Sequence, residues 1–277
     1  MTVREALQLA KARLLEAGFS PSQAEAEARQ LLGWLVGPGA TLWRSLEHEL
    51  DGDAAHTLTD ALRRRTGGEP LQMIIGSVEF YGLRLTVQPG VLVPRPETEL
   101  LVEKALAALN GVSSPRVLDV GTGSGAVALA IKSNRPDARV YAGDVSRAAL
   151  ALAAANAKAL GLGVVLLRGS LTAGLRGLDL LVSNPPYLPR ADAEAAPPEL
   201  GWEPAAALYA GEDGLEVALP LLEAGLQALR PGGRLLLELD PRNVSAAAAR
   251  ARSLGYRAVR TCADLAGRER YLNARRG

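Results

Sequence analysis

Cysteine and histidine are scarce in this sequence. The 277 residues include one cysteine, Cys262, and two histidines, His48 and His56. A single cysteine cannot form an intramolecular disulfide, and so few soft ligands do not make a structural zinc site. We therefore predict no metal centre and assign these three side chains to structural or surface positions.

The sequence also lacks an excess of either charge and any long apolar run. Its 31 basic and 30 acidic residues give a net charge of +1, far from the basic excess of proteins that cover phosphates. No apolar stretch approaches the ~20 residues that a membrane helix needs, and Arg4, Glu5 and Lys11 interrupt the region where a signal peptide would lie. These features predict a cytoplasmic protein with no membrane partner and no stable nucleic-acid binding.

The first seventy residues have helical periodicity. A capping box at Thr2 begins one helix, and Ser20 before Pro21 begins a second, which we expect to end within residues 33–39. A third helix is predicted over residues 58–65. Trp34, Trp43 and Trp202 are predicted as packing residues rather than stacking platforms.

The pattern changes twice further along the chain. Apolar residues alternate over residues 72–87 with Gly76 and Gly82 between them, which predicts a β-hairpin. We therefore predict a helical domain at residues 1–70, a hairpin linker at 71–95 and a larger domain at 96–277.

The larger domain alternates helical stretches with short buried-type strands. Strands of this kind separated by helices form a parallel sheet that is covered on both faces, so we predict a doubly wound α/β domain. Its first helix is expected to begin at Pro96 and to run to about residue 109. The six predicted strands are Arg116–Val120, Arg139–Asp144, Val164–Arg168, Leu178–Ser183, Arg234–Leu239 and Arg257–Thr261.

A glycine-rich turn follows the first of these strands. The cofactor-binding candidates in it are Gly121, Thr122, Gly123 and Gly125. Glycines let a ligand approach the turn closely, and the helix that follows presents unpaired N–H groups. The same segment also satisfies a loose dinucleotide-binding pattern, so the glycines alone do not identify the cofactor.

Two acidic residues narrow the choice. Asp144 ends the second strand, where a carboxylate can bind both ribose hydroxyls, although a helix N-cap is an equally good interpretation of this residue alone. Asp119 lies two residues before the first glycine. A negative charge there would repel a pyrophosphate but would favour the ammonium and sulfonium groups of S-adenosylmethionine.

The segment Asn184-Pro185-Pro186-Tyr187 follows the fourth strand. Two prolines cannot extend a central strand, so the chain must leave the sheet at its carboxyl edge, beside the glycine turn. The Asn184 side-chain oxygen and the Pro185 carbonyl can then accept both hydrogens of a planar NH2 group, with Tyr187 packed over its plane or near the sulfonium. Such acceptors favour the positive charge that develops when a methyl group reaches the nitrogen, so no strong base is needed.

With these motifs the sequence resembles the release-factor glutamine N5-methyltransferases, the PrmC/HemK family. The resemblance covers nearly the whole chain. It is carried by the glycine turn with Asp144 and by the segments Gly68-Glu69-Pro70-Leu71-Gln72, Glu79-Phe80-Tyr81-Gly82, Leu92-Val93-Pro94-Arg95-Pro96-Glu97-Thr98-Glu99, Val182 to Tyr187, Glu203-Pro204, Gly211-Glu212-Asp213-Gly214-Leu215 and Asp264 to Arg270.

The resemblance implies a class I S-adenosylmethionine-dependent methyltransferase fold: a Rossmann-like, mostly parallel seven-stranded sheet with a small helical N-terminal domain. It implies methylation of the glutamine in the Gly-Gly-Gln motif of peptide chain release factors 1 and 2, with S-adenosylhomocysteine as the product. Asn184, Pro185, Pro186 and Tyr187 would bind the glutamine, and Phe80, Arg95 and Glu97 would line the crevice between the domains. The helical domain at residues 1–70 would be the substrate-recognition domain that contacts the release factor. Ser170-Leu171 stands where many relatives carry an acidic residue after the third strand, so a backbone N–H or the Ser170 hydroxyl would bind adenine.

Other functions remain open at this point. A methyltransferase acting on the N6 amine of adenine in DNA or RNA would share Asn-Pro-Pro-Tyr, but the sequence supplies neither a basic groove nor a target-recognition insert. An NAD-dependent oxidoreductase would use the glycine turn and leave Asp119 and the Asn184 segment without a role. A catalytically silent protein that binds S-adenosylmethionine is the remaining alternative.

Overall fold

The computed structural model describes residues 1–37 and 46–277. Trp43 lies outside these residues, and so do residues 38–39 of the segment 33–39 in which the second helix was predicted to end. The chain forms two compact units, Met1–Gly76 and Ser77–Gly277. In the described part of the chain, no helix is long and apolar enough to span a bilayer.

The first unit is a small helical bundle. Its helices are α1 (Val3–Glu16), α2 (Pro21–Val36), α3 (Gly52–Thr66) and α4 (Leu71–Ile75). The predicted capping box is present at Thr2, and the Ser20 hydroxyl accepts from the Gln23 N–H. Apolar residues of all four helices share one buried core.

Residues 71–75 correct one prediction. They form the short helix α4 rather than the start of a hairpin, and Gly76 ends it in a left-handed conformation. A five-residue stretch with four apolar residues fits a strand and a helical turn equally well, and here Leu71 and Ile74 join the core of the helical bundle. The hairpin itself is present as β1 (Ser77–Phe80) and β2 (Leu83–Thr86), within the second unit.

The second unit is built on a seven-stranded sheet. Its strands are β3 (Arg116–Val120), β4 (Arg139–Asp144), β5 (Val165–Arg168), β6 (Leu178–Ser183), β7 (Leu229–Glu238), β8 (Arg257–Ala263) and β9 (Glu269–Arg275), and they lie in the order β5-β4-β3-β6-β7-β9-β8. All neighbouring pairs are parallel except those of β9 with β7 and with β8. The predicted α/β class is confirmed, with β9 as the strand that the pattern did not reveal.

Helices cover both faces of this sheet. They are α5 (Glu97–Ala108), α6 (Ala126–Asn134), α7 (Arg147–Leu160), α8 (Ala205–Leu208), α9 (Ala218–Ala228) and α10 (Val244–Ser253). Val117 and Leu180 belong to the core on the side of α5 and α6, whereas Leu118 and Leu181 belong to the core on the side of α9 and α10. Successive strand residues point to opposite faces, so β3 and β6 are buried on both sides.

The strand order places a topological switch between β3 and β6. From β3 the chain adds β4 and β5 on one side, and β6 and β7 lie on the other. Crossover connections leave in opposite directions at such a point, which opens a crevice at the carboxyl ends of the two strands. The glycine turn follows β3 and the Asn184 segment follows β6, so both motifs lie at this crevice.

Candidate active site

A cavity of about 540 Å³ lies at the carboxyl edge of the sheet. Most of the predicted cofactor-binding residues line it. These are Asp119, Gly121, Thr122, Gly123, Asp144, Ser170, Leu171 and Asn184. Arg95 and Pro186, which were predicted for substrate binding, and the unpredicted Thr98 also line this cavity.

The glycine turn uses most of its own N–H groups. Gly121 and Thr122 both donate to the Gly143 carbonyl, at 2.8 and 3.0 Å, Gly123 donates to Asp144 Oδ2 at 3.0 Å, and Gly125 donates to the Thr122 carbonyl at 2.8 Å. A bound pyrophosphate depends on free N–H donors at such a turn. The turn is therefore built for close approach of a ligand rather than for binding phosphate.

Asp119 connects the end of β3 to the turn. Its Oδ2 accepts from the Thr122 hydroxyl at 2.6 Å and from the Ala128 N–H at 3.2 Å. Burial raises the pKa of this carboxyl to about 7, and the two hydrogen bonds only partly offset that effect. A cation bound in the cavity would favour its charged form.

Asp144 ends β4, the strand next to β3. Its Oδ1 accepts from the Ser146 N–H at 2.8 Å, and its Oδ2 accepts from the Gly123 N–H at 3.0 Å. Ser146, and not Asp144, is the N-cap of α7, since the Ser146 hydroxyl accepts from Ala149. This removes the N-cap interpretation of Asp144. Each carboxylate oxygen also keeps acceptor capacity for a ligand hydroxyl.

Gly125 has a packing role. It does not line the cavity; it precedes α6 at φ +86°, and a Cβ there would lie 3.1 Å from Leu129 Cδ1 and 3.2 Å from Ala153 Cβ. The absence of a side chain lets α6 begin close to α7. The structure thus gives a different reason for this glycine than the predicted cofactor contact.

A second cavity of about 210 Å³ adjoins the first. Asn184, Pro185 and Tyr187 line it, together with Asp240 and Arg270. Leu92, Arg95, Asn184 and Ala207 line both cavities. Asn184 therefore lies at the boundary between a large cavity and a small one.

The Asn184 side chain is held from α5. Its Nδ2 donates to Thr98 Oγ1 at 3.0 Å. Thr98 is 4% exposed and stands in the first turn of α5. In this orientation of the amide, the oxygen is the atom left for a ligand.

The loop that carries Tyr187 is fixed through its backbone. The Tyr187 carbonyl accepts from Asn243 Nδ2 at 3.0 Å, and its N–H donates to the Leu208 carbonyl at 3.2 Å. Gly214 makes this approach possible, because a Cβ there would lie 2.1 Å from the Tyr187 carbonyl oxygen. Burial raises the pKa of the Tyr187 hydroxyl to about 12, so it is neutral at physiological pH.

Arg95 is oriented by a buried carboxylate. Its guanidinium forms an ion pair with Glu203, whose side chain is 0% exposed and which also accepts from the Val93 N–H at 2.8 Å. Burial raises the pKa of Glu203, and Arg95 acts against that effect. This pair ties the segment before α5 to the loop after β6 and leaves Arg95 on the wall of both cavities.

The two remaining substrate-binding candidates lie elsewhere. Phe80 is 1% exposed and belongs to the core of the sheet domain, so it cannot line a crevice as predicted. It is an apolar residue of β1 whose side chain lies on the buried face of the hairpin. Glu97 lines neither cavity; its carbonyl accepts from the Tyr271 hydroxyl at 2.7 Å and fixes the start of α5.

Sequence reasoning missed five residues of the site. Thr98, Glu203, Asp240 and Arg270 line or support the cavities, and Glu238 is a buried acid at the end of β7. Thr98, Glu203 and Arg270 stood within segments that carried the family resemblance, and that was the available signal. Trp202, predicted as a packing residue, is 43% exposed.

Family models match both parts of the chain. The PrmC N-terminal domain matches residues 5–76, and the methyltransferase small domain matches residues 95–197. The solved structure of a 16S rRNA N2 G1207 methyltransferase from T. thermophilus, in complex with AdoMet and guanosine, has a TM-score of 0.54 at 22% identity, over 73% of this chain and 50% of that one. At that identity the likeness shows the methyltransferase fold alone.

Curated relatives match over the full length. A release factor glutamine methyltransferase of Deinococcus radiodurans is 51% identical over 280 residues, covering 100% of this chain and 99% of the relative. Another, of Moorella thermoacetica, is 44% identical over 284 residues, with the same coverage. With its glycine turn and its Asn-Pro-Pro-Tyr segment on one crevice, the chain belongs to the release factor glutamine methyltransferase family.

Proposed function

We propose that this protein transfers a methyl group from S-adenosylmethionine to the side-chain amide nitrogen of the glutamine in the Gly-Gly-Gln motif of release factors 1 and 2. The position of Asn184 carries the proposal, because it lines both the larger and the smaller cavity. A residue at this boundary can touch a cofactor on one side and an acceptor amide on the other.

The larger cavity suits S-adenosylmethionine in volume and in charge. Its volume of about 540 Å³ falls within the range of small-molecule sites, roughly 300–1,000 Å³. Asp119 and Asp144 supply carboxylates for cationic groups and ribose hydroxyls, and Ser170 with Leu171 lines the remaining wall for the adenine. When bound, the cofactor supplies an electrophilic methyl group on a sulfonium and leaves as S-adenosylhomocysteine.

The smaller cavity would receive the glutamine side chain. The Asn184 amide oxygen and the Pro185 carbonyl accept the two N–H hydrogens, which fixes the direction of the nitrogen lone pair. Held by these two oxygens, the nitrogen lone pair could form the new N–C bond with the methyl group that the sulfonium would supply, and the electrons of the C–S bond would stay on sulfur. The methylated nitrogen would be positively charged and would lose a proton to water, because a protonated amide is very acidic.

The rival functions fit these cavities less well. An NAD-dependent oxidoreductase needs free N–H donors for a pyrophosphate, and the glycine turn donates its N–H groups to Gly143, Asp144 and Thr122. A methyltransferase acting on nucleic acid needs a basic surface, whereas this chain has a net charge of +1.

We assign recognition of the release factor to the helical domain, and we place Arg95 beside the glutamine.

Transfer of a labelled methyl group tests the function. The protein would be incubated with labelled S-adenosylmethionine and, in parallel, a release factor, its Gln-to-Ala variant in the Gly-Gly-Gln motif, and duplex DNA. We expect label in the wild-type release factor only. Label in DNA, or equal label in the Gln-to-Ala variant, would overturn the proposal. Cofactor binding without label in any substrate would instead favour a catalytically silent protein.

A further inference from the structure

The hydrogen bond between Asn184 and Thr98 does not by itself fix the orientation of the amide. Asn184 Nδ2 lies 3.0 Å from Thr98 Oγ1. A threonine hydroxyl both donates and accepts, so it can also donate to an amide oxygen after the side chain rotates by half a turn. A further group must decide which way the Thr98 hydroxyl points.

Glu238 is the candidate for that group. It ends β7, it is 1% exposed, and neither of its carboxylate oxygens has a hydrogen-bond partner among the described residues. Buried carboxylates without a donor are rare because the charge loses its hydration. An acid left in this state calls for a functional explanation.

The fold brings the Glu238 carboxyl close to Thr98. Glu238 pairs in register with Tyr271 of β9, and the Tyr271 hydroxyl donates to the Glu97 carbonyl at 2.7 Å, next to Thr98. Burial raises the pKa of Glu238 to about 7, while a hydrogen-bonding contribution from the Thr98 hydroxyl and the charge of Arg270 lower it. The carboxylate is therefore the major form at pH 8. It accepts no hydrogen bond from Thr98 in this structure, but the hydroxyl lies close enough to lower its pKa.

We propose that Glu238 and Thr98 are positioning residues that set which end of the Asn184 amide faces the acceptor. Glu238 takes the hydroxyl hydrogen of Thr98, so Thr98 Oγ1 can only accept from Asn184 Nδ2. The Asn184 oxygen is then left for an N–H of the substrate. This inference rests on the proposed function and extends it to two residues that act through Asn184: Thr98, which lines the larger cavity, and Glu238, which lines neither cavity.

The direction of these hydrogen bonds has a chemical consequence. Each group donates toward Glu238: the substrate nitrogen to Asn184, Asn184 to Thr98, and Thr98 to Glu238. Hydrogen bonds aligned in this way strengthen one another. Positive charge that develops on the substrate nitrogen is therefore stabilised by aligned hydrogen bonds that end on the Glu238 carboxylate.

Reversing the direction of these hydrogen bonds would remove the acceptor that the substrate nitrogen needs. If residue 238 donated to Thr98, the Thr98 hydroxyl would turn toward the Asn184 oxygen and the Asn184 NH2 would face the substrate NH2. Two donors would then face each other. Glu238→Gln permits this reversal with almost no change of shape, Thr98→Val removes the hydroxyl, and Thr98→Ser keeps it.

Kinetics of these variants test the proposal. We expect Thr98→Val and Glu238→Gln to lower kcat on the release factor on the order of 100-fold. The dissociation constant of S-adenosylmethionine should remain near the wild-type value, which also shows that each variant is folded. Thr98→Ser should recover most of the turnover that Thr98→Val loses.

A double-mutant cycle separates positioning from packing. If Thr98 acts through Asn184, adding Thr98→Val to Asn184→Ala should cause no further loss of kcat. Equal losses in both backgrounds, or wild-type turnover in Thr98→Val or Glu238→Gln, would overturn the proposal.

A second readout does not depend on turnover. In protein labelled with ¹⁵N-asparagine, the side-chain NH2 signals of Asn184 are identified by their loss in Asn184→Ala. We expect one of the two hydrogens to be shifted downfield by its hydrogen bond, to revert in Thr98→Val and Glu238→Gln, and to stay shifted in Thr98→Ser. If the Asn184 NH2 signals of the wild type have the chemical shifts of a free amide, the proposed hydrogen bonds from Asn184 to Thr98 and from Thr98 to Glu238 are overturned. Shifted signals without release-factor methylation would count against the proposed function alone.

Discussion

Asp119 is a carboxyl group whose charge depends on pH near neutrality. Burial raises its pKa to about 7, so it is neutral in more acidic solution and charged in more basic solution. A cationic ligand binds the charged form better, and its affinity should therefore rise as the pH rises through 7. We expect the dissociation constant of S-adenosylmethionine, measured by calorimetry, to fall about tenfold between pH 6 and pH 8.

Two controls isolate this effect. Asp119→Asn should bind more weakly and without this pH dependence. Methylthioadenosine has neither a sulfonium nor an ammonium group, so its affinity should not change with pH in the wild type. A pH-independent affinity of the wild type for S-adenosylmethionine would remove Asp119 from cation binding.

The sequence predicted the positions of some site residues but not their contacts. Asp144 and Asn184 end predicted strands, and the carboxyl ends of parallel strands meet at one edge, so their approach followed from local patterns. The contact between Asn184 and Thr98 joins residues 86 positions apart, and no local pattern indicates it. Phe80 was misassigned because the pattern of a hairpin does not say which face will be buried.

At the scale of elements, the loop after β6 depends on Gly214. Gly214 has φ +77°, and a Cβ there would lie 2.1 Å from the Tyr187 carbonyl oxygen and 2.7 Å from Asn243 Nδ2. Gly214→Ala must therefore move the segment that carries Asn184 and Tyr187. We expect a loss of methyl transfer and a decrease in the free energy of unfolding of more than about 1 kcal/mol.

Gly111→Ala is the matched control for this substitution. Gly111 also has φ +77°, but a Cβ there meets no atom within 4 Å. It should show only the backbone strain, about 1 kcal/mol, with turnover unchanged. Equal effects of the two substitutions on turnover would show that the contact with Tyr187 does not position the loop. Denaturant unfolding and the methyl-transfer assay measure both quantities.

Elements were predictable where their pattern had one meaning. The strands at Arg116–Val120, Arg139–Asp144 and Leu178–Ser183 were predicted with their observed ends, because each is a short buried run. β9 was missed because Glu269–Arg275 mixes charged and apolar residues, as expected for an antiparallel strand beside the edge strand β8. Residues 71–75 were too short a run to separate strand from helix.

At the scale of the whole molecule, both cavities belong to one compact unit. All the residues that line them lie between Gly90 and Arg270, within the unit Ser77–Gly277. A fragment of residues 77–277 should therefore fold and bind S-adenosylmethionine with an affinity within about twofold of the full chain. Its kcat/KM for the release factor should fall sharply, because we assign recognition to residues 1–76.

Calorimetry measures cofactor binding by the fragment, and the methyl-transfer assay measures its activity on the release factor. Circular dichroism of the fragment serves as the control for folding. A folded fragment that methylates the release factor as efficiently as the full chain would contradict the role of the helical domain, and a folded fragment that does not bind the cofactor would contradict the assignment of the larger cavity.

The central claim is that the Asn184 amide holds the acceptor nitrogen in line with the departing methyl group. The most direct measurement is turnover on the release factor and cofactor affinity, both for wild type and Asn184→Ala. We predict a loss of turnover on the order of 100-fold or more, with the dissociation constant of S-adenosylmethionine nearly unchanged. Unchanged turnover, or a collapse of cofactor binding, would contradict the claim.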